Sequence, residues 1–381
     1  SSTIYLVIGV GLASTIIGVG CAWFVSCYDF YGKKYIEWIL ILPLTVPTYV
    51  AAYSYYDILE VFNPFFIWSR NNFGLSETIL IETIIIYLIV ITLFSFVLYP
   101  YVYLSTKASL MIQGSRIIEA ANTLGIPTNK SFGKVVIPIL KPAIIAGLSL
   151  VIMETLNDYA AVEYFGISTL TIGIFRSWFG MHDIDSALKL SSFLITFVFI
   201  ILMFEKLYRK GAKYDNKGGE YALKTINIEK KKQYTIIIFC LTPFLFGFLI
   251  PIGRLLTWLF SSDFSLKDFN LVMITFNTIA ISLVSSIIVV ILAFFINFSK
   301  NYFNNDACKK ISQLAILGYS MPGAIIAIGI LKLSSSINEL IPLMLIGSIF
   351  GLIFSYVVRF LAVAWQPIDS SMEKLGININ Q

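Results

Sequence analysis

Histidine occurs once, as His182, and the four cysteines (Cys21, Cys27, Cys240, Cys308) form no C-x-x-C pair. These scarcities argue against His-rich metal ligation, a His-based triad, a zinc site and a disulfide framework, and no metal-ligand set is assigned. No G-x-x-x-x-G-K-[ST] run occurs, so the chain has no phosphate-binding loop of its own, and any ATP that drives it binds to another polypeptide. No convergent acid–base set suggests bond chemistry, and the chain is read as a non-enzyme. Charge is scarce as well. Only 13% of the 381 residues are charged and 57% are apolar, against about 25% and 45–50% in soluble domains.

What is present is a series of apolar runs about 20 residues long, the length a helix needs to cross the hydrocarbon core. Ten-residue strands of alternating polarity are absent, so the spans are helices. The fold class that follows is an all-α integral membrane protein, a polytopic helical bundle. Nine spans are expected, near residues 4–24, 36–58, 79–104, 139–156, 188–207, 234–260, 271–298, 311–331 and 340–365. Pro43 and Pro47 interrupt the second, and a polar loop reaching Ser76 follows it. Residues 208–233, charged and Lys-rich, form the one clear linker, separating a first segment (1–207) from a second (234–381).

Basic residues orient the spans, because they concentrate on the cytoplasmic side. With the loop around Gly125 inside, the inner face holds 21 of the 27 Lys and Arg residues, nine of them between Lys206 and Lys232. The outer face keeps Arg70, Arg176, Lys189, Arg254, Lys267 and Lys332.

An internal repeat is also present. Thr3, Lys34 and Pro47 recur as Thr278, Lys309 and Pro322 at one offset, and Tyr101-Val102 recurs as Tyr356-Val357 at a shorter one. Six spans separate the starts of the copies, so they face the same way, and a substrate path is expected between parallel halves. The first copy lacks a partner for the span 234–260, and the second stops short of its own polar loop. The expectation is a chain truncated at both ends, in which a missing signal sequence carries no information.

The polar stretch from Ile118 to Pro138 reads as two short helices. Ser115 is a plausible N-cap for the first, with Glu119 in a turn where negative charge suits the dipole. Gly125 fits the left-handed position after that helix and Pro127 stops it. Thr128 can cap the second helix, and Pro138 hands over to the next apolar run. The spacing of Glu119, Ala120, Ala121, Gly125, Val135, Ile137 and Pro138 resembles the EAA loop of ABC-importer permeases of the MetI-like family, EAA-x3-G-x9-I-x-L-P. Val135 and Ile137 are conservative departures from that pattern.

A second stretch, Glu154 to Met181, is similar to the outer segment of ferric-iron importer permeases. It carries E-x-L-x-D-[FY], then VEYFG, then T-x-G-[IV]-[FY]-R-x-W-F-G. Tyr159-Ala160-Ala161 and Ile172 depart from it, and those departures bear on the substrate rather than the class.

The resemblance implies the permease subunit of a binding-protein-dependent ABC importer in the bacterial inner (plasma) membrane, with ferric iron as the substrate. It implies coupling through Glu119, Ala120, Ala121, Gly125 and Pro138 to a dimer of cytoplasmic ABC ATPase subunits. Those subunits, not this chain, would bind ATP and Mg. A periplasmic or lipid-anchored substrate-binding protein and membrane lipid complete the expected partners, with no nucleic acid. Glu154, Asp158, Tyr159, Glu163, Tyr164 and Arg176 are the candidates for the substrate path or the binding-protein contact, since a hard trivalent cation wants carboxylate and phenolate oxygen. An aromatic belt at the interface and a structural partner for Glu154 account for the same residues. The same machine for thiamine, a polyamine or another small solute is the alternative, followed by an ion-coupled secondary transporter, which leaves the EAA spacing unexplained.

The orientation is testable. In a cysteine-free background, an external thiol reagent should label a cysteine placed at His182 and spare one at Lys217; the reverse pattern would overturn the assignment.

Overall fold

The computed structural model describes residues 2–56, 58–123, 132–209, 226–261, 270–303, 318, 321, 323–340 and 347–379. Two compact units are distinguishable, Ser1–Gly173 with Phe199–Ser262, and Ile174–Val198 with Asp263–Gln381.

The first unit opens with α1 (Ser2–Cys27), the two-residue strand β1 (Tyr28–Asp29), α2 (Lys33–Ile39), a 3-10 turn (Leu42–Thr45) and α3 (Thr48–Tyr55). It continues with α4 (Ile58–Phe73), α5 (Leu75–Thr123), a π-helical turn (Phe132–Val136), α6 (Ile137–Asn157), α7 (Ala160–Tyr164) and α8 (Leu170–Phe175). After α9 (Ile184–Arg209) and β2 (Ile226–Asn227), it closes with α10 (Lys230–Phe244), a second π-helical turn (Leu245–Leu249) and α11 (Ile250–Ser261). The second unit holds a third π-helical turn (Arg176–Gly180), the first part of α9, and then α12 (Leu271–Phe303), α13 (Gly323–Leu340) and α14 (Ile349–Ile379).

Among the described residues six helices are long and apolar enough to cross a membrane, and the bent pair Lys33–Thr45 and Thr48–Tyr55 makes a seventh span if counted as one. These correspond to the first seven expected spans. The last two fall partly outside the described residues, where Ile325–Ser335 and Ile349–Trp365 are shorter apolar helices. The second expected span is sharply broken, with an 85° bend between its halves. Pro43 and Pro47 lack the amide hydrogen a continuing helix would need, which is why the break falls there.

Helix α5 is the hub of its unit. Val102 lies between two glycines, Gly18 of α1 and Gly147 of α6. A Cβ on Gly18 would stand 2.8 Å from Val102 Cβ and 2.9 Å from the Tyr99 carbonyl oxygen. One on Gly147 would stand 2.6 Å from Val102 Cα. In lipid, where no hydrophobic force draws helices together, such backbone contact is what holds them. Two apolar clusters line this packing, one containing Leu6, Val10, Phe94 and Val162 and the other Cys21, Tyr99, Tyr103 and Leu140. In the second unit α12 packs along α14, with Ala293, Leu361 and Trp365 at their contact.

Two expectations need correction. Residues 115–123 are not a separate helix capped by Ser115; α5 runs unbroken from Leu75 to Thr123. Its segment after Leu104 contains no proline, and Ala108, Leu110, Met111, Gln113, Arg116, Glu119, Ala120 and Ala121 in it all favour helix. The segment before Ser76 is not a polar loop but α4, whose Phe65 and Trp68 rings stack at 5.9 Å. Its aromatic residues recur at helical spacing, and Pro64 does not break it. Thr128 lies outside the described residues, and the chain before α6 is a π-helical turn that runs straight into Ile137.

Gly147→Val should therefore force α5 and α6 apart and cost about 1–3 kcal/mol. Gly253→Ala should be neutral or slightly stabilising, because nothing lies within 4 Å of its added Cβ. Thermal unfolding of both variants in detergent checks this.

Candidate functional site

The two ends of the stretch 118–138 are both helical. Glu119, Ala120 and Ala121 lie on the last turns of α5. Pro138 is exposed in the first turn of α6, directly after the π-helical turn. Gly125 lies outside the described residues.

Further back along α5, Lys107 Nζ meets Glu37 Oε2 of α2 at 3.1 Å, with side-chain exposures of only 19% and 30%. Lys107 also sits 5.6 Å from the Tyr103 ring centroid. Nearby, Lys33 donates to the Tyr28 carbonyl at 3.2 Å, and β1 pairs in parallel with β2.

The broken span between α2 and α3 strands carbonyl oxygens, and tyrosines capture them. Leu44 N–H turns back to Ile41 O and Pro43 has no N–H, so Leu40 O is left free; Tyr99 Oη donates to it at 2.7 Å. Ile41 N–H is drawn to Trp38 O, leaving Glu37 O to the Tyr103 hydroxyl at 3.4 Å. The same device recurs at the second π-helical turn. Ile250 N–H bonds to Leu245 O, and Pro251 has no hydrogen for Phe246 O, which accepts the Tyr55 hydroxyl at 2.6 Å.

Just past the break, where Thr48 opens α3, the span meets Asp158, which follows the last residue of α6. Its Oδ2 accepts a bond from the Thr48 hydroxyl at the start of α3, and its Oδ1 accepts the Ala161 amide in the first turn of α7 at 2.8 Å. One carboxylate thus serves two helix N-termini. Burial pushes its carboxyl above the ordinary carboxylate range, against the pull of the Thr48 hydroxyl and the Ala161 amide. The same two helices share an aromatic contact, with Tyr53 and Tyr164 rings 5.6 Å apart and Tyr56 and Tyr164 6.4 Å apart. Trp258 of α11 joins them at 5.0 Å from Tyr53, beneath the Arg254 guanidinium.

The sequence candidates divide accordingly. Asp158, Tyr159 and Tyr164 join one packed group, in which Tyr159 is half-buried against the core. Glu163 is exposed on the same short helix, and Glu154 is half-buried in the last turn of α6. Arg176 belongs to the other unit, exposed at the start of its π-helical turn. No group of three or more His, Cys, Asp or Glu that could hold a metal occurs among the described residues. Thr48, Tyr55, Tyr99, Tyr103, Glu37 and Lys107 escaped the sequence reading. For the three tyrosines the available signal was the prolines, because the breaks beside Pro43 and Pro251 leave carbonyls that need a donor.

Residues 14–207 match the family described as binding-protein-dependent transport system inner membrane component. The chain belongs to this family. It is 25% identical over its whole length to the Fe(3+)-transport system permease protein FbpB 2 of Haemophilus influenzae, covering 71% of that protein. It is 29% identical over 149 residues to the sulfate transport system permease protein CysT of Salmonella typhimurium, and 30% identical over 149 residues to that of Escherichia coli. Each of those alignments takes in 39% of this chain and 51% of the relative, so the chain spans about half the length of the sulfate permeases it matches. No solved structure matches significantly. The protein is thus a polytopic integral membrane permease of the binding-protein-dependent importer class.

The Asp158 contacts generate a prediction with a definite sign. Because its folded-state carboxyl is raised, the folded protein holds that proton more tightly than the unfolded chain does. Stability from this group is fully present below the ordinary aspartate value and falls as pH rises through the folded value. Asp158→Asn can keep both contacts without the charge. Its stability should match wild type in acid and exceed it near neutrality in detergent thermal melts, whereas Asp158→Leu should be destabilised throughout.

Proposed function

We propose that the protein forms the translocation path of an ATP-driven importer for ferric iron and couples through residues 118–138 to a dimer of cytoplasmic ATPase subunits. The observation that carries the iron reading is extent. The relative named for Fe(3+) transport aligns with all of this chain, whereas the sulfate relatives align with 39% of it. The VEYFG and RSWFG stretches support the same cargo. Sulfate is the second reading, favoured by several relatives of that name; thiamine or a polyamine would use the same machine.

Transport of this kind needs no bond chemistry in the membrane subunit. ATP and Mg bind to the partner subunits, whose closure shifts the permease between inward and outward access. A periplasmic or lipid-anchored binding protein delivers the cargo to the outer face, with Glu163 and Tyr164 as contacts from the first unit. Glu119, Ala120, Ala121, Gly125 and Pro138 present the contact to the ATPase, and α5 carries the first three on a helix continuous with a membrane span.

The test is reconstitution of the full-length permease with its ATPase and binding protein in proteoliposomes. Radiolabelled ferric ion should enter in an ATP-dependent manner, uncompeted by sulfate, thiamine or putrescine. Glu119→Lys should insert normally yet lose ATPase co-purification and uptake. Sulfate-saturable, iron-independent uptake would replace the cargo assignment. Full uptake by Glu119→Lys would remove the coupling role.

A further inference from the structure

We propose that Glu37 and Lys107 are positioning residues of the transport cycle, tying the coupling end of α5 to the broken span so that displacement at residues 118–138 reaches the Asp158 joint. The inference rests on the coupling role proposed above for that loop.

The first unit contains a closed circuit of links. Helix α5 carries Glu119 and, 12 residues earlier on the same helix, Lys107. Lys107 binds Glu37 of α2. Helix α2 leads through the bend to α3, whose Thr48 is bound by Asp158. Asp158 directly follows α6, and α6 begins at the far end of the loop that α5 enters. Ile36, Tyr103 and Leu110 cluster with Val136 and Leu140, which puts the Glu37–Lys107 joint towards the start of α6, whereas Asp158 follows its end; a 21-residue helix is about 30 Å long. A shift of the α5 terminus relative to α6 acts on this circuit as well as on the direct α5–α6 contact at Val102 and Gly147.

The Glu37–Lys107 bond is suited to carry it. Both side chains are partly shielded from water, so the pair is screened less than an exposed surface pair. The Tyr103 hydroxyl also reaches the Glu37 carbonyl, giving the joint two polar contacts between α2 and α5, and the Tyr103 ring, one turn before Lys107 on α5, faces its ammonium. Lys33 and Asp29 lie beside it, lining one recess with Glu37. Glu37 thus has basic neighbours on both α2 and α5.

The experiment uses the reconstituted full-length permease with its ATPase and binding protein, and reads cargo imported per ATP hydrolysed. Glu37→Gln and Lys107→Gln should insert, retain the ATPase and hydrolyse ATP, while cargo per ATP falls about 5-fold or more. The double exchange Glu37→Lys with Lys107→Glu should restore the ratio, a rescue that general destabilisation would not give. A wild-type ratio in both single variants, or a double exchange that remains uncoupled, would overturn the proposal. A wild-type complex that imports nothing with ATP would strike the importer reading instead.

Discussion

A backbone carbonyl left without a donor inside hydrocarbon costs about 2–7 kcal/mol, and the first unit of this permease is arranged around that constraint. Its second span breaks at Pro43 and Pro47, and its last helical run passes through a π-helical turn before Pro251. Each break frees a carbonyl that no helical amide can reach. Tyr99 and Tyr55 answer with phenol hydroxyls at 2.7 and 2.6 Å. Phenylalanine at either position would fill the same volume and leave the oxygen orphaned.

That solution has a consequence for architecture. A phenol reaching a carbonyl on another helix fixes both the depth and the rotation of the helix that carries it. Tyr99 and Tyr103 thereby index α5 against the broken span, while Gly18 and Gly147 let α1 and α6 close on Val102 from separate sides. Non-directional packing supplies contact, and the polar bonds supply register. Just past the break, Asp158 performs the matching service for amide and hydroxyl donors, accepting one bond from the start of each of two helices.

Much of this was legible in the residues. Long apolar runs located the spans, and the paired prolines announced the break in the second one. The motif around Glu119 and the run from Glu154 marked the family to which the chain belongs. The boundary at Ser115 was misread because a polar composition suggested a new surface helix. Without a proline or a positive-φ glycine, the backbone had no reason to stop. The segment before Ser76 was misread for the opposite reason: polar residues suggested a loop, but aromatic residues at helical spacing carried the helix through, Pro64 included. The polar ties were not legible, because Lys107 and Glu37, like Thr48 and Asp158, are distant in sequence. Only the packing of helices brings each pair together.

The unbroken course of α5 gives it the mechanics of a lever. Its close contacts with α1 and α6 centre on Val102, and Thr123 lies 21 residues farther along. At 1.5 Å per residue that arm is about 30 Å long. A pivot of about 5° at this fulcrum sweeps the tip through roughly 3 Å, the width of a hydrogen bond. A groove that gripped the tip would therefore convert a displacement of that size into a rotation small enough for the glycine contacts to persist. Stiffness beyond the fulcrum, rather than flexibility, would let a modest push at one end register deep within the membrane.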